Sequence, residues 1–153
     1  MADAVDYVLY IMLRKDMQSL NHAGKMVAQG AHAANHAASE IGKGAFGTTA
    51  MMNFAVWEKS TAQGFGTTIV FSGIADRKGL RGLSIYDIMH VIDSAKAYGI
   101  AAGLTHDPCY PLHDGGTVHG FPCDTCGWIF GLRERLWPFT NNLSLQPASP
   151  QEF

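Results

Sequence analysis

Positive charge is absent from a long internal segment of this chain. All eleven lysines and arginines lie outside residues 97–132. The same segment holds three aspartates, three of the seven histidines and all three cysteines. With a formal net charge of −2, the chain as a whole has no general electrostatic attraction for nucleic acid. Any polyanion would therefore meet the first two-thirds of the chain.

The chain also lacks long apolar runs, and its number of cysteines is odd. No stretch approaches the roughly 18 apolar residues of a membrane-spanning helix. The start, "MADAVDYVLY", lacks the basic residues of a secretory signal. Three cysteines are an odd number for a framework of disulfides. We therefore expect a protein without a membrane span, located in the reducing cytoplasm.

Apolar runs alternate with helical patterns along the chain. "YVLYIMLR" at 7–14 is apolar on both faces, as in a central strand. "TTIVFSGI" at 67–74 is rich in β-branched residues, and two shorter strands are predicted at 100–105 and 126–132. This order predicts an α/β fold, a single three-layer α/β/α domain with a small mixed sheet of about four strands flanked by helices.

The domain is expected to cover residues 1–136, because no repeat or linker divides that range. Within it, Ser84 and Asp87 have the spacing of a capping box at the start of a helix that ends near Gly99. Residues 137–153 are polar and contain proline, which is typical of a tail that is partly docked or disordered.

The stretch "GKMVAQGAHAANH" at 24–36 predicts a helix with a polar stripe. At 100° per residue, four polar residues fall within about 60° of one another, namely Lys25, Gln29, His32 and His36. The opposite side carries small or apolar residues, namely Val27, Ala31, Ala34 and Ala38. We expect the small residues to pack closely on the sheet and the polar stripe to face outward.

The start of this helix, near Gly24, is suited to an anion. Unpaired N–H groups and a partial positive charge gather at a helix N-terminus, and Lys25 adds a full charge there. The stripe therefore predicts a phosphate anchor followed by the hydrogen-bonding groups of Gln29, His32 and His36. Two other interpretations stay open. One is a solvated helix face, and the other is a metal held by the two histidines, which have no obvious third ligand nearby.

The stretch "GKMVAQGAHA" at 24–33 resembles the glycine–lysine, alanine–glutamine, histidine–alanine signature of type II peptidyl-tRNA hydrolases. Further features follow in the order that family uses. A helix ending in "AYG" leads into "IAAGLTHD", similar to a family strand that runs into an aspartate, and Thr125 precedes a last strand in "DTCGWIFG". The resemblance covers roughly residues 7–132.

The resemblance implies a metal-free hydrolase without a cofactor. The family cleaves the ester between a peptide and the 3′ ribose of tRNA, so the implied partner is the 3′ end of peptidyl-tRNA. Carried over to this chain, the implied catalytic residues are Lys25, Asp107 and Thr125. Gln29 and His32 complete the implied pocket, and we add Gly24 and His36 as substrate-binding residues. A homodimer is possible.

Ester hydrolysis needs a positioned water, a base and a donor to the developing oxyanion. Asp107 suits the role of base if its surroundings raise its pKa. Lys25, with the helix N-terminus, suits the oxyanion or a terminal phosphate. Thr125 suits the positioning of water or of a ribose hydroxyl.

Departures from the family pattern favour an alternative. This chain has "HDPCYP" where the family has aspartate–alanine–glycine, and "PCDT" where the family has glycine–threonine before the last strand. The connection at 106–124 is long and acidic, and we expect it to be a loop. The alternative is a non-catalytic or repurposed relative with the same fold, which binds a nucleotide, a tRNA end or a protein partner.

The same loop carries a pattern of possible metal ligands. "HDPC" and "CDTC" place His106, Cys109, Cys123 and Cys126 in the paired arrangement of a zinc ribbon. A structural zinc there would staple the loop. The simpler interpretation is three ordinary thiols beside a solvated loop, and the family resemblance implies no metal.

Overall fold

The computed structural model describes residues 5–145, excluding the side chains of Gln18 and Asp114. Its helices are a short 3-10 helix (Gln18–Asn21), α1 (Ala23–Gly42), α2 (Gly47–Glu58), α3 (Ile85–Ala97) and α4 (Arg133–Thr140). Its strands are β1 (Tyr7–Leu13), β2 (Thr68–Phe71), β3 (Gly73–Asp76), β4 (Gly79–Gly82), β5 (Ala101–Asp114), β6 (Thr117–Leu132) and β7 (Leu143–Ser144).

Four strands form a mixed sheet in the order β2-β1-β6-β5. β1 and β2 are parallel, whereas β6 runs antiparallel to both of its neighbours, β1 and β5. A second, antiparallel sheet has the order β4-β3-β7. The α/β fold with a small mixed sheet is therefore confirmed.

Helices cover both faces of the four-stranded sheet. Successive side chains of a strand point to opposite faces, and in β1 they divide between two cores. Leu9 and Ile11 belong to a core with α1 and α2, while Val8 and Met12 belong to a core with α3 and α4. Burying each such side chain contributes about 1.5–3 kcal/mol. The layers are α/β/α, and β1 is apolar on both faces because both are covered.

The predicted loop at 106–124 is wrong. Here β5 and β6 continue as a long hairpin, in which Asp107 lies opposite Cys123 and the turn follows at Gly115, with a φ of 59°. Proline argues against a strand because it lacks a donor N–H. Pro108 and Pro111 are accommodated because β5 is an edge strand and its register shifts in this region.

The run 67–74, predicted as one strand, divides at Ser72, so that β2 joins the large sheet and β3 the small one. The predicted domain boundary at 136 falls inside α4, where Leu136 is fully buried in the core. β7 then pairs with β3. Residues 146–153 of the predicted tail lie outside the described residues.

The capping box of α3 is confirmed. Ser84 accepts a hydrogen bond from the N–H of Asp87, and the Asp87 carboxylate accepts one from the N–H of Ser84. These contacts satisfy N–H groups that a helix start leaves unpaired. Between residues 5 and 145, no helix combines the length and apolar character needed to cross a membrane.

Candidate functional site

Helix α1 packs on the sheet with a different face from the one expected. Its buried residues are Gln29, Ala33, Ala37 and Ile41. Val27 is 72% exposed, and Ala31 and Ala38 are exposed as well. The outward orientation of the polar stripe is therefore wrong. Small residues do allow close packing, but they are Ala33 and Ala37, on the same side as Gln29.

Gln29 is the centre of a buried hydrogen-bond chain. Its side-chain amide donates from Nε2 to Oδ2 of Asp107 over 2.8 Å, and its Oε1 accepts from Oγ1 of Thr125 over 2.5 Å. A carboxylate only accepts hydrogen bonds, so the amide nitrogen must face Asp107. Gln29 is only 3% exposed. It therefore fixes the Asp107 carboxylate from the protein interior.

Asp107 lies where the register of the β5–β6 hairpin shifts. Its second oxygen, Oδ1, accepts from the N–H of Cys109 over 3.0 Å. Burial raises the pKa of Asp107, but the hydrogen bonds from Gln29 and Cys109 lower it. The nearby histidines, His32 and His106, lower it further, and the net pKa is below the usual value. The condition for Asp107 to act as a general base, a raised pKa, is therefore not met.

His32 stands beside this carboxylate on α1. Its Nδ1 lies 3.3 Å from Oε1 of Gln29 and 3.9 Å from Oδ2 of Asp107. Both neighbours are acceptors. The side chain is 52% exposed, so the remainder of the ring is accessible from outside.

His36, one turn further along α1, contacts the strands instead. Its Nδ1 lies 3.1 Å from the indole Nε1 of Trp128 on β6 and 3.0 Å from Oγ1 of Thr105 on β5. The two rings meet edge to face, with centroids 5.9 Å apart. His36 is half-buried, and Trp128 is fully buried.

Thr125 has a different position from the one that the resemblance implies for it. It is fully buried, and its hydroxyl donates to Gln29. A side chain at this depth has no access to a water or a ribose hydroxyl. Thr125 is connected to Asp107 only through the side-chain amide of Gln29.

Lys25 is held by the hairpin. Its Nζ donates to the carbonyl oxygen of Pro111 over 2.9 Å and lies 5.1 Å from the ring centroid of Tyr110. Tyr110 is fully buried and donates its hydroxyl to Ser19. Gly24, one residue earlier, is exposed, with open space where a Cβ would project. The hairpin therefore forms one wall beside the start of α1.

An open cleft of about 410 Å³ lies between α1 and β5. Among the described residues, its lining consists of His32, Asn35, His36, Leu104, Thr105, His106, Asp107 and Pro108. Three of the predicted site residues thus meet at one cleft, backed by Gln29 and Thr125, while Lys25 does not line it. Asn35 and Thr105 were missed. Helical spacing from His32 identifies Asn35, but nothing local identifies Thr105.

The predicted zinc ligands do not come together. Cys126 is buried and donates to the carbonyl oxygen of Gln29, whereas Cys109 is exposed, with its Sγ over Gly120. His106 contacts Asp124 over 2.9 Å. In the part of the chain that the structure describes, no three His, Cys, Asp or Glu side chains are placed to hold a metal. The arrangement of the described residues gives no support to a zinc site at these four positions, and within residues 5–145 no third ligand accompanies His32 and His36.

A larger cleft, of about 860 Å³, lies on the other face of the sheet between α3 and α4. Tyr86, Tyr98 and Phe139 contribute to its walls. Its polar lining residues are Asp87, His90, Ser94, Arg135, Asn141 and Asn142. Asp87 is bonded to Arg81 and to the start of α3, whereas within residues 5–145 the side chains of His90 and Arg135 make no hydrogen bond or ion pair.

Neither the models of known protein families nor the curated proteins give a match to this chain. The resemblance to type II peptidyl-tRNA hydrolases therefore stays a prediction, and the function has to be argued from the site itself.

Proposed function

We propose that this protein is an esterase that releases the peptide from the 3′ ribose of peptidyl-tRNA. The observation that carries the proposal is the arrangement at the smaller cleft. A half-exposed histidine, His32, lies beside a carboxylate, Asp107, that is locked by the buried pair Gln29 and Thr125. The ring of His32 is oriented by Oε1 of Gln29, 3.3 Å from its Nδ1, and a histidine beside a fixed carboxylate is suited to take a proton from an attacking water.

The roles follow from the hydrogen-bond partners. Both neighbours of Nδ1 of His32 are acceptors, so in the neutral ring Nδ1 carries the proton and Nε2 has the free lone pair. Nε2 takes the proton of a water as its oxygen attacks the ester carbonyl carbon. The bond from that carbon to the ribose O3′ then breaks, and the proton passes to O3′. The Asp107 carboxylate stabilises the imidazolium between these steps.

Lys25 and the start of α1 suit the phosphates near the ester. Lys25 precedes Gln29 by one turn, which is about 6 Å along the helix axis at 1.5 Å per residue. The bond to Pro111 uses one of the three N–H donors of its ammonium group, and the others are available to an anion. The proposal assigns the terminal phosphate of the tRNA to this end and the ester to the cleft.

The test is release of the acyl group from an N-acetylated aminoacyl-tRNA, measured in the presence of a metal chelator. We expect Asp107→Asn and His32→Gln to lower kcat/KM by about a hundredfold or more, the size expected for a positioned base. His90→Gln is the matched control, since it makes the same change at an exposed histidine in the other cleft. Turnover that survives both substitutions would contradict the proposed roles.

One observation favours a second candidate, a repurposed relative that binds a tRNA end without cleaving it. The Lys25 ammonium group already contacts the Pro111 carbonyl and the Tyr110 ring of the hairpin, and the segment 97–132 lacks positive charge. Binding of the acylated tRNA by folded wild-type protein with no release of the acyl group would favour this candidate.

A further inference from the structure

His36 has a hydrogen-bond partner that determines where its proton lies. The indole N–H of Trp128 is a donor and never an acceptor, and it lies 3.1 Å from Nδ1 of His36. Nδ1 can accept that bond only when it carries no proton. The ring of His36 is then neutral, with its proton on Nε2.

Thr105 does not reverse this assignment. Its Oγ1 lies 3.0 Å from the same Nδ1, and a hydroxyl can either donate or accept. A proton on Nδ1 would suit Thr105 but would face the indole N–H directly. The indole cannot turn its N–H into an acceptor, whereas the hydroxyl can rotate, so Trp128 decides the tautomer.

The indole itself is held firmly. Trp128 lies opposite Gly103 in the sheet, and a Cβ at Gly103 would come within 2.8 Å of the Trp128 Nε1. The indole ring therefore packs directly on Gly103, where any side chain would clash with it. Phe46 packs on it edge to face, with ring centroids 5.6 Å apart. Trp128 presents its N–H to His36 from a fixed place in the core.

His32 and His36 are therefore opposite tautomers on one helix face. His32 faces acceptors and keeps its proton on Nδ1, so its Nε2 accepts. His36 faces a donor and keeps its proton on Nε2, so its Nε2 donates. Both rings line the 410 Å³ cleft, one helical turn apart. The cleft thus has a proton acceptor and a neutral hydrogen-bond donor side by side.

We propose that Nε2–H of His36 is the hydrogen-bond donor to the ester carbonyl of the substrate, opposite the water that His32 activates. This inference rests on the proposed esterase function. The carbonyl oxygen gains negative charge as water attacks, and a preorganised donor stabilises that charge more than it stabilises the ground state. His36 would then contribute mainly to kcat, with a smaller effect on KM.

The first part of the test needs no substrate. In the full-length wild-type protein at neutral pH, ¹⁵N NMR of the histidine rings should find the His36 proton on Nε2 and the His32 proton on Nδ1. Trp128→Phe removes the indole N–H and should release His36 from its single tautomer. A His36 proton on Nδ1 in the wild type would overturn the inference, even if Trp128→Phe does not fold.

The second part is kinetic, with the same acylated tRNA. His36→Ala should lower kcat by about a hundredfold, the usual effect of removing one donor to an oxyanion. His36→Gln keeps an N–H at a similar reach and should recover part of that loss. An active wild type with an unaffected His36→Ala variant overturns this inference alone. A wild type without turnover overturns the esterase function, and this inference with it.

Discussion

Each face of the four-stranded sheet has a cleft beside a helix, and the two clefts differ in how their polar side chains are held. On the α1 side, Gln29 links Thr125 to Asp107, and Trp128 fixes His36. On the α3 side, the cleft has about twice the volume. Tyr86, Tyr98 and Phe139 contribute to its walls, and within residues 5–145 the side chains of His90 and Arg135 make no hydrogen bond.

The difference is the reason for assigning the proposed reaction to the smaller cleft and not to the larger one. A reacting group has to be held in place before the substrate arrives, and buried hydrogen bonds supply that restraint. Every polar side-chain atom buried within residues 5–145 has a partner, so the network behind Asp107 is complete. Substituting single residues of the network, and matched residues elsewhere, tests whether the difference between the two clefts matters for function.

Among substitutions of residues that do not line the smaller cleft, the largest effect is expected for Thr125→Val. This change keeps the side-chain shape but removes the donor to Oε1 of Gln29, so Gln29 no longer holds Asp107 in one orientation. We expect kcat/KM to fall by about tenfold and the free energy of unfolding to fall by about 1–2 kcal/mol. Steady-state kinetics and urea unfolding measure the two quantities.

Thr140→Val is the matched control for that substitution. Thr140 is also buried and donates to the carbonyl oxygen of Leu136, on the α3 and α4 side. The free energy of unfolding of Thr140→Val should fall by a similar amount, while its turnover should equal that of the wild type. Equal losses of turnover in both variants would mean that general stability, and not the network, supports activity.

A smaller effect, on stability alone, is expected for Asp87→Asn. The hydrogen bonds from Arg81 to Asp87 are the main reason that the pKa of this carboxyl falls to about 2, and burial opposes them. A lowered pKa stabilises the fold above the ordinary value of 3.8 and loses that contribution as the pH falls towards 2. At pH 7 the free energy of unfolding of the wild type should be about 1 kcal/mol larger than that of Asp87→Asn.

The difference should shrink to a small remainder as the pH falls to 2, because Asp87 is then protonated in the unfolded protein and about half protonated in the folded protein. Urea unfolding at pH 7, pH 4 and pH 2 measures the trend. A difference that stays constant across this range would show that the capping geometry, and not the charge, makes the contribution. Turnover at pH 7 should be unchanged, since Asp87 lies on the α3 side of the sheet.

The smallest effect is expected for Arg135→Gln. This guanidinium lines the larger cleft and, in residues 5–145, makes no ion pair. Removing its charge should change the free energy of unfolding by less than about 0.5 kcal/mol and leave turnover unchanged. A marked loss of turnover would mean that the larger cleft takes part in the reaction, and the contrast between the two faces would fail.

Local sequence patterns predicted the elements whose conformation depends on residues close together in the chain. β1 is a strand because both of its faces are apolar, and α3 starts at Ser84 because the capping box lies within four residues. The hairpin could not be predicted in this way. Its two strands stabilise each other across the turn at Gly115, and its prolines are acceptable only because β5 forms an edge.

The amino-acid sequence by itself determined the α/β class, the helix that carries Lys25, Gln29, His32 and His36, and the buried strand segment that leads into Asp107. Only the tertiary structure decided which of these groups meet. It buried Gln29 and enclosed Thr125, and it placed Trp128 against a histidine 92 residues away. Spacing along one helix limits which residues share a face, but contacts between distant strands decide which face is covered and where each proton lies.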